Sequence, residues 1–143
     1  RWRKIQSAVD EPNATIRHGA PKGKVGIIGW GSTEGAVRDT LSQLHDDGYE
    51  CGYLQVRLLC PLPEAQISDF INDFDNIVIP EMNFSGQLAR MLRATFLRPF
   101  IQYNKATGMP FTSGDIYNAV VEVYENGKDT SGLQIERQAH MVR

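Results

Sequence analysis

The chain has 143 residues, of which 41% are hydrophobic, and a formal net charge of −2 at pH 7. A chain of this size can bury the core of one compact domain. The slightly negative charge argues against a surface that neutralises nucleic-acid phosphates or anionic lipids, and no apolar run approaches the ~20 residues that span a bilayer. These properties exclude a nucleic-acid-binding protein and a membrane-spanning protein, and they predict a cytoplasmic location.

Three segments differ in their residue pattern. Residues 1–24 are polar and broken by Pro and Gly, which predicts a lead-in segment with a short basic helix at residues 2–9. The chain begins at Arg1 rather than at Met, which suggests a piece of a longer or processed polypeptide. Residues 25–126 show regular apolar periodicity and are predicted to form one α/β domain. Residues 127–143 lose this periodicity, which predicts a tail or an arm that packs on something else.

Apolar runs alternate with helical stripes across the predicted domain. The runs predict four strands, at residues 25–30, 53–59, 77–79 and 99–103. Side chains at helical spacing follow each run and predict four buried helix faces: Val37, Leu41 and Leu44; Ile67, Phe70, Ile71 and Phe74; Phe84, Leu88, Met91, Leu92 and Thr95; and Ile116, Ala119, Val120 and Val123. This alternation predicts a three-layer α/β fold with a mostly parallel sheet.

Local signals mark the ends of these elements. Gly48 is predicted to end the first of the four helices. The pair Asp75-Asn76 is predicted to turn the chain before the third strand. Thr112 and Asp115 have the spacing of a capping box, with Asp in place of the usual Glu or Gln, at the start of the last helix.

The strand-to-helix loops of such a sheet lie along one edge, where ligands and partners dock. The first of these loops, GWGSTEG at residues 29–35, places Gly31, Ser32 and Thr33 where helix N–H groups could cradle an anion. The loop matches neither GxxxxGK[ST] nor GxGxxG, and the carboxylate of Glu34 would compete for the same N–H groups. Helix capping and anion binding are therefore both open for this turn.

The third loop, PEMNFSG at residues 80–86, contains a carboxylate at a strand end. A buried Glu81 needs a partner, and we expect Arg57 in the second loop to supply it as an internal ion pair. A role for Glu81 at a subunit boundary or ligand site is the alternative. Asn83 is predicted to be the N-cap of the following helix. A basic group lies on or after that helix, as a solvated face or as a site for an acidic partner or a CoA-like phosphate: Arg90, Arg93 and Arg98.

Residues that carry metal or nucleophilic chemistry are sparse. Cys51 and Cys60 lie nine positions apart without a CxxC pair or a nearby His, so we predict no metal site, no disulfide framework and no iron–sulfur cluster bound by this chain alone. The three histidines occupy unrelated contexts. No Ser/His/Asp or paired-carboxylate arrangement follows from the spacing, so we predict no catalytic residue.

Four motifs occur in order between residues 21 and 124: VGIIGWGSTEGAV, VRLLCPLP, PEMNFSGQLARMLR and GMPFTSGDI. Together they resemble the C-terminal region of the alpha subunit of 2-oxoacid:ferredoxin oxidoreductases, especially the 2-oxoglutarate enzymes. The resemblance implies the three-layer α/β fold of the transketolase C-terminal domain. It also implies an edge that meets other domains and subunits, formed by Gly31, Ser32 and Thr33 in the first loop, Arg57 and Pro61 in the second, and Glu81, Asn83, Gly86 and Gln87 in the third.

The enzymes that this chain resembles use thiamine diphosphate, Mg²⁺ and iron–sulfur chemistry to convert a 2-oxoacid, CoA and oxidised ferredoxin into acyl-CoA, CO₂ and reduced ferredoxin. In that family these groups lie in the beta subunit and in the N-terminal domain of the alpha subunit. The resemblance therefore implies a non-catalytic assembly domain that is inactive alone and has the beta subunit as its partner. Two alternatives are open: a stand-alone module that binds a nucleotide or CoA phosphate at the Gly31–Thr33 turn, and a scaffold that dimerises through the helix in FSGQLARML.

Overall fold

The computed structural model describes residues 2–127. The strands are β1 Thr15–Gly19, β2 Gly23–Trp30, β3 Cys51–Val56, β4 Phe74–Glu81 and β5 Ile101–Asn104. The helices are α1 Trp2–Gln6, α2 Glu34–Asp46, α3 Glu64–Asn72, α4 Gln87–Phe96 and α5 Ser113–Asn126, with 3-10 turns at Ser7–Asp10 and Gly31–Thr33. The predicted tail lies outside the described residues except for Gly127.

The five strands form one sheet in the order β1-β3-β2-β4-β5. Strand β1 runs antiparallel to β3, and the other three neighbouring pairs are parallel. Every strand that leads into a helix therefore ends at the same edge of the sheet, which we call the carboxyl edge.

The sheet is covered on both faces, so the predicted three-layer α/β fold is confirmed. On one face, side chains of α2 and α5 pack with Val25 and Ile27 of β2. On the other face, side chains of α3 and α4 pack with Ile28 of β2. Consecutive residues of β2 thus enter opposite cores, which explains why this strand is a continuous apolar run rather than an alternating one.

Strand β1 lies within the predicted lead-in segment and was not predicted as a strand. This strand is at the outer end of the sheet and pairs Ile16 with Gln55 and His18 with Tyr53. Its Arg17 forms an ion pair with Asp73 at 2.6 Å. An edge strand is buried on few sides, so its side chains do not form the apolar run that identified the central strands.

The predicted boundaries differ from the structure at all four predicted strands, and most at β4 and β3. Strand β4 begins at Phe74, which was assigned to the preceding helix, and contains Asp75 and Asn76, which were assigned to a turn. Parallel pairing of Val25 with Asn76 holds this segment in the sheet, and the Asn76 amide donates to the carbonyl of Lys24. Pairing with β2 therefore overrides the turn preference of these residues. Strand β3 occupies Cys51–Val56 rather than residues 53–59.

The buried face of α4 differs from the predicted one. Leu88 and Leu92 are buried, but Met91 is 37% exposed and Thr95 is exposed as well. Phe84 precedes the helix and is 58% exposed. In contrast, the whole predicted face of α5 is buried, and its capping box is present, with the Thr112 and Asp115 side chains each accepting the other's backbone N–H.

Gly52 lies where the sheet packs closely against the Phe74 ring, so a substitution there tests this packing. A Cβ at this position would collide with the Phe74 ring and lie 2.5 Å from the carbonyl oxygen of Ala20. We expect Gly52→Ala to lower the free energy of unfolding by about 1–3 kcal/mol through overpacking, measured by urea denaturation. The control is Gly35→Ala in α2, where nothing lies within 4 Å of the new Cβ. This control should be neutral or up to about 1 kcal/mol more stable, and equal losses in both variants would contradict the packing described for Gly52.

Candidate functional site

A crevice opens at the carboxyl edge between β2 and β4. The helices that follow these neighbouring strands, α2 and α4, cover opposite faces of the sheet, so their loops diverge and leave a gap at the topological switch point. The gap has a volume of about 280 Å³ and is lined by Trp30, Gly31, Ser32, Thr33, Glu81, Met82, Asn83 and Gln87. The structure therefore brings together the predicted first and third loops.

The turn at Gly31–Thr33 is held by its own hydroxyl groups. The Thr33 hydroxyl donates to the carbonyl of Trp30 at 3.0 Å, and the Ser32 hydroxyl donates to the sulfur of Met82 at 3.4 Å. Neither side chain caps α2. Gly31 has a φ of +60°, a backbone conformation that favours glycine. The predicted capping role thus has no support from these side chains, and the hydroxyls connect the turn to β2 and to the third loop.

Glu34 is directed towards the neighbouring strand β3. Its carboxylate accepts from the Gln55 amide at 2.6 Å and from Arg38 at 3.3 Å. Glu34 and Gln55 line a second cleft of about 520 Å³ with the predicted second-loop residue Arg57. The carboxyl edge therefore has two neighbouring clefts, which share Trp30 and Gly31.

The predicted ion pair between Glu81 and Arg57 was wrong. The Glu81 carboxylate is buried, at 1% exposure, and accepts from the backbone N–H groups of Leu88 at 2.8 Å and Ala89 at 3.0 Å. It also accepts from the Asn83 amide at 3.0 Å. The first N–H groups of a helix lack internal acceptors and carry partial positive charge, so α4 itself supplies the counter-charge that this carboxylate needs.

Asn83 and Gly86 complete the start of α4. The N-cap position is Gly86, with a φ of +61°, rather than the predicted Asn83. The Asn83 side-chain oxygen nevertheless accepts from the N–H groups of Gly86 at 2.6 Å and Gln87 at 3.4 Å. Asn83 and Glu81 together therefore occupy the N–H groups from Gly86 to Ala89. A free anion at the start of α4 would have to displace them.

The loop between β3 and α3 contains the remaining predicted site residue, Pro61. The peptide bond from Cys60 to Pro61 is cis, and Pro63 precedes the first residue of α3. Pro61 is half-buried and does not line either cleft at the carboxyl edge. The structure thus places Arg57 beside the first loop and Pro61 further along the same edge.

The described residues do not fit a resident metal or cluster. Within residues 2–127, no three His, Cys, Asp or Glu side chains lie together as metal ligands would. Cys51 is buried, and burial raises the pKa of its thiol to about 12, whereas Cys60 is exposed. In the same range, no helix combines the length and the apolar character that crossing a bilayer demands.

Comparison with known proteins relates this chain to one enzyme family. The family described as pyruvate:ferredoxin oxidoreductase core domain II matches residues 23–116. The chain is 28% identical, over 90% of its length and 20% of the relative's length, to the alpha subunit of 2-oxoacid:ferredoxin oxidoreductase 2 from Aeropyrum pernix. It therefore spans about a fifth of the length of this relative and of two other alpha subunits that it matches.

Two solved structures have the same fold. One is a 2-oxoglutarate:ferredoxin oxidoreductase from Magnetococcus marinus with 2-oxoglutarate, coenzyme A and succinyl-CoA bound, which matches 85% of this chain and 21% of that chain at 34% identity and a TM-score of 0.80. The other is a split-gene transketolase, described as an inactive β4 tetramer, which matches 78% of this chain and 41% of that chain at 16% identity and a TM-score of 0.61. The transketolase match concerns the fold alone.

Glu81 can be tested by removing its charge without changing its shape. In Glu81→Gln an amide NH₂ would face the N–H donors at the start of α4, leaving buried donors unsatisfied. We expect the free energy of unfolding to fall by at least about 2 kcal/mol. The control is Glu64→Gln, which changes an exposed glutamate in the first turn of α3 and should cost less than about 1 kcal/mol. Similar losses in the two variants would contradict the capping role of Glu81.

The two cysteines should differ in reactivity. Only a thiolate reacts quickly with an aromatic disulfide reagent, and burial both shields Cys51 and raises its pKa. We expect one rapid equivalent, from Cys60, in the native protein and a second only after unfolding in urea. Native Cys60→Ser should therefore remain unlabelled. Rapid labelling of both thiols in the native wild type would show that Cys51 is accessible.

Proposed function

The chain belongs to the pyruvate:ferredoxin oxidoreductase core domain II family, and from this membership we propose that it is one domain of the alpha subunit of a 2-oxoacid:ferredoxin oxidoreductase. The complete enzyme would oxidatively decarboxylate 2-oxoglutarate or a related 2-oxoacid to an acyl-CoA and reduce ferredoxin. The enzyme would act in the cytoplasm. The domain would serve as an assembly and interface domain without catalytic residues of its own.

The chemical groups at the carboxyl edge are the main support for this proposal. The family match spans all three loops of this edge. The buried carboxylate of Glu81 is already hydrogen-bonded to backbone N–H groups at the start of α4. The remaining groups in the first cleft are hydroxyls, amides, a thioether and an indole, which suit contact and hydrogen bonding. We assign the interface to the residues predicted from the resemblance: Gly31, Ser32, Thr33, Arg57, Pro61, Glu81, Asn83, Gly86 and Gln87.

The reactive groups would then come from neighbouring polypeptide. We assign thiamine diphosphate, Mg²⁺ and the iron–sulfur cluster to the beta subunit and to other domains of the alpha subunit. Cys51 and Cys60 support this assignment, because a cluster usually requires four thiolates and one of these two is buried. The partners are the beta subunit within the enzyme, and CoA and ferredoxin for the complete reaction.

The alternative function, a stand-alone module that binds a nucleotide or CoA phosphate at the Gly31–Thr33 turn, has less support. None of the eight residues that line this cleft is Lys or Arg, and one of them is the carboxylate of Glu81. A phosphate bound there would lack a cationic side chain. Calorimetric titration with CoA and ADP tests this alternative, and micromolar binding that is lost in Ser32→Asp would support it.

The proposed function is tested by comparing the 143-residue chain with the assembled enzyme. The chain alone should show no 2-oxoacid-dependent reduction of a viologen dye, whereas the alpha subunit that contains it should do so when mixed with the beta subunit. Activity of the isolated chain would overturn the proposed role.

A variant at the carboxyl edge tests the interface through the strength of association. Arg57→Glu in the alpha subunit should weaken binding of the beta subunit by about tenfold, or ~1.4 kcal/mol. Light scattering over a concentration series measures this binding. The control is Lys22→Glu, an exposed residue in the turn before β2, which makes the same charge change at the opposite edge of the sheet. Equal effects at both positions would contradict an interface at the carboxyl edge.

A further inference from the structure

Helix α4 contributes a lining residue to each of two cavities. At the start of the helix, Gln87 lines the crevice described above. At its other end, Arg93 lines a groove of about 690 Å³ beside Phe100 and Ile101. Met91 follows Gln87 by one helical turn, so their side chains are neighbours on one face of the helix. We define the α4 track as Met82, Gln87, Arg90, Met91 and Arg93.

One half of the α4 track is apolar. The side chains of Met82 and Met91 are 39% and 37% exposed. The Ser32 hydroxyl donates to the Met82 sulfur, which holds this thioether at the wall of the crevice. Exposed methionines are unbranched and polarizable, and they adapt to the shape of an apolar side chain from a partner.

The other half of the α4 track is cationic. Arg90 and Arg93 are exposed, and neither forms an ion pair within residues 2–127. In contrast, Arg17 and Arg38 have carboxylate partners in the same part of the chain. Helix α4 contains no Asp or Glu. Asp75 lines the same groove as Arg93, but the two side chains form no ion pair.

The crevice at the start of α4, which Met82 lines, favours an uncharged occupant. Among residues 2–127, Glu81 is the only ionisable residue that lines it, and its oxygens already accept three hydrogen bonds from Asn83, Leu88 and Ala89. An incoming anion would meet this carboxylate rather than a cation.

We propose that the α4 track docks a segment of a partner polypeptide within the assembly, with an uncharged apolar side chain against Met82 and Met91 and carboxylates against Arg90 and Arg93. This rests on the proposed function, since it specifies the chemistry of one contact of the assembly domain. Charge complementarity selects the acidic character of the segment. A second copy of this chain fits poorly, because a two-fold contact through α4 brings the same arginines together without a carboxylate from α4.

The probe is the beta subunit, titrated calorimetrically onto the 143-residue chain. We expect Met91→Ser and the double variant Arg90→Glu/Arg93→Glu each to weaken binding by at least about tenfold. The matched controls are Met109→Ser, at a methionine that is 65% exposed, and Arg3→Glu/Lys22→Glu, which makes the same charge change. Both controls should bind like the wild type. Added salt should weaken wild-type binding more than binding of the double arginine variant.

A second measurement follows the wild type and does not depend on the folding of the Met→Ser and Arg→Glu variants. With the methionine methyl groups labelled with ¹³C, the Met82 and Met91 signals should shift on addition of the beta subunit, while the Met109 signal should not. The signals are assigned by single Met→Leu variants. Inorganic phosphate should leave the Met82 signal unchanged.

The outcomes separate the two proposals. If the wild-type chain does not bind the beta subunit, the proposed function fails and the α4 track fails with it. If it binds but the track variants match their controls, or only Met109 shifts, the track is wrong and the proposed function stands. A homodimer that is lost in Met91→Ser would assign the track to a second copy, and a Met82 shift with phosphate would assign the crevice to an anion. Either result would overturn the proposed segment.

Discussion

The carboxyl edge of this domain depends on one buried carboxylate. Glu81 is the last residue of β4, and its two oxygens accept the N–H groups of Leu88 and Ala89 at the start of α4. The contact fixes the end of the strand to the start of the helix and shapes the loop between them. Because the carboxylate and the helix N-terminus neutralise each other, neither is available for an external charge.

This arrangement explains why a sheet edge that usually binds ligands is so poor in reactive groups. The crevice between β2 and β4 lies at the switch point, where doubly wound folds place their sites. Here Glu81 is already paired, the hydroxyls of Ser32 and Thr33 donate within the protein, and Glu34 is directed to Gln55 and Arg38. The carboxylate and the hydroxyls that line the crevice are thus hydrogen-bonded within the protein, and Arg57 lines the neighbouring cleft rather than this one. Such a surface is suited to contact with neighbouring polypeptide, as the proposed function requires.

The candidate site was only partly predictable from the sequence. Loop order alone placed Gly31–Thr33 and Glu81 at the same edge, because parallel strands that alternate with helices end together. The partner of Glu81 was predicted wrongly, since the sequence offered Arg57 as a cation but gave no distances. Two local signals could have corrected this prediction. Asn83 and Gly86 stand directly before an apolar helical stripe, and a carboxylate close before a helix start is a common partner for its N–H groups.

Hydrophobic periodicity and capping act over a few neighbouring residues, so the amino-acid sequence was enough to predict the layered α/β fold, the central strands and the capping box of Thr112 and Asp115. The tertiary structure was needed to place Phe74 and Asn76, since pairing with β2 outweighs their local preferences. It also decided that β1 joins the sheet, because an edge strand has too little burial to mark itself in the sequence. The exposure of Met91 has a similar cause. Helical spacing gives the residues that share a stripe, but the width of the buried part depends on how closely α4 lies against the sheet.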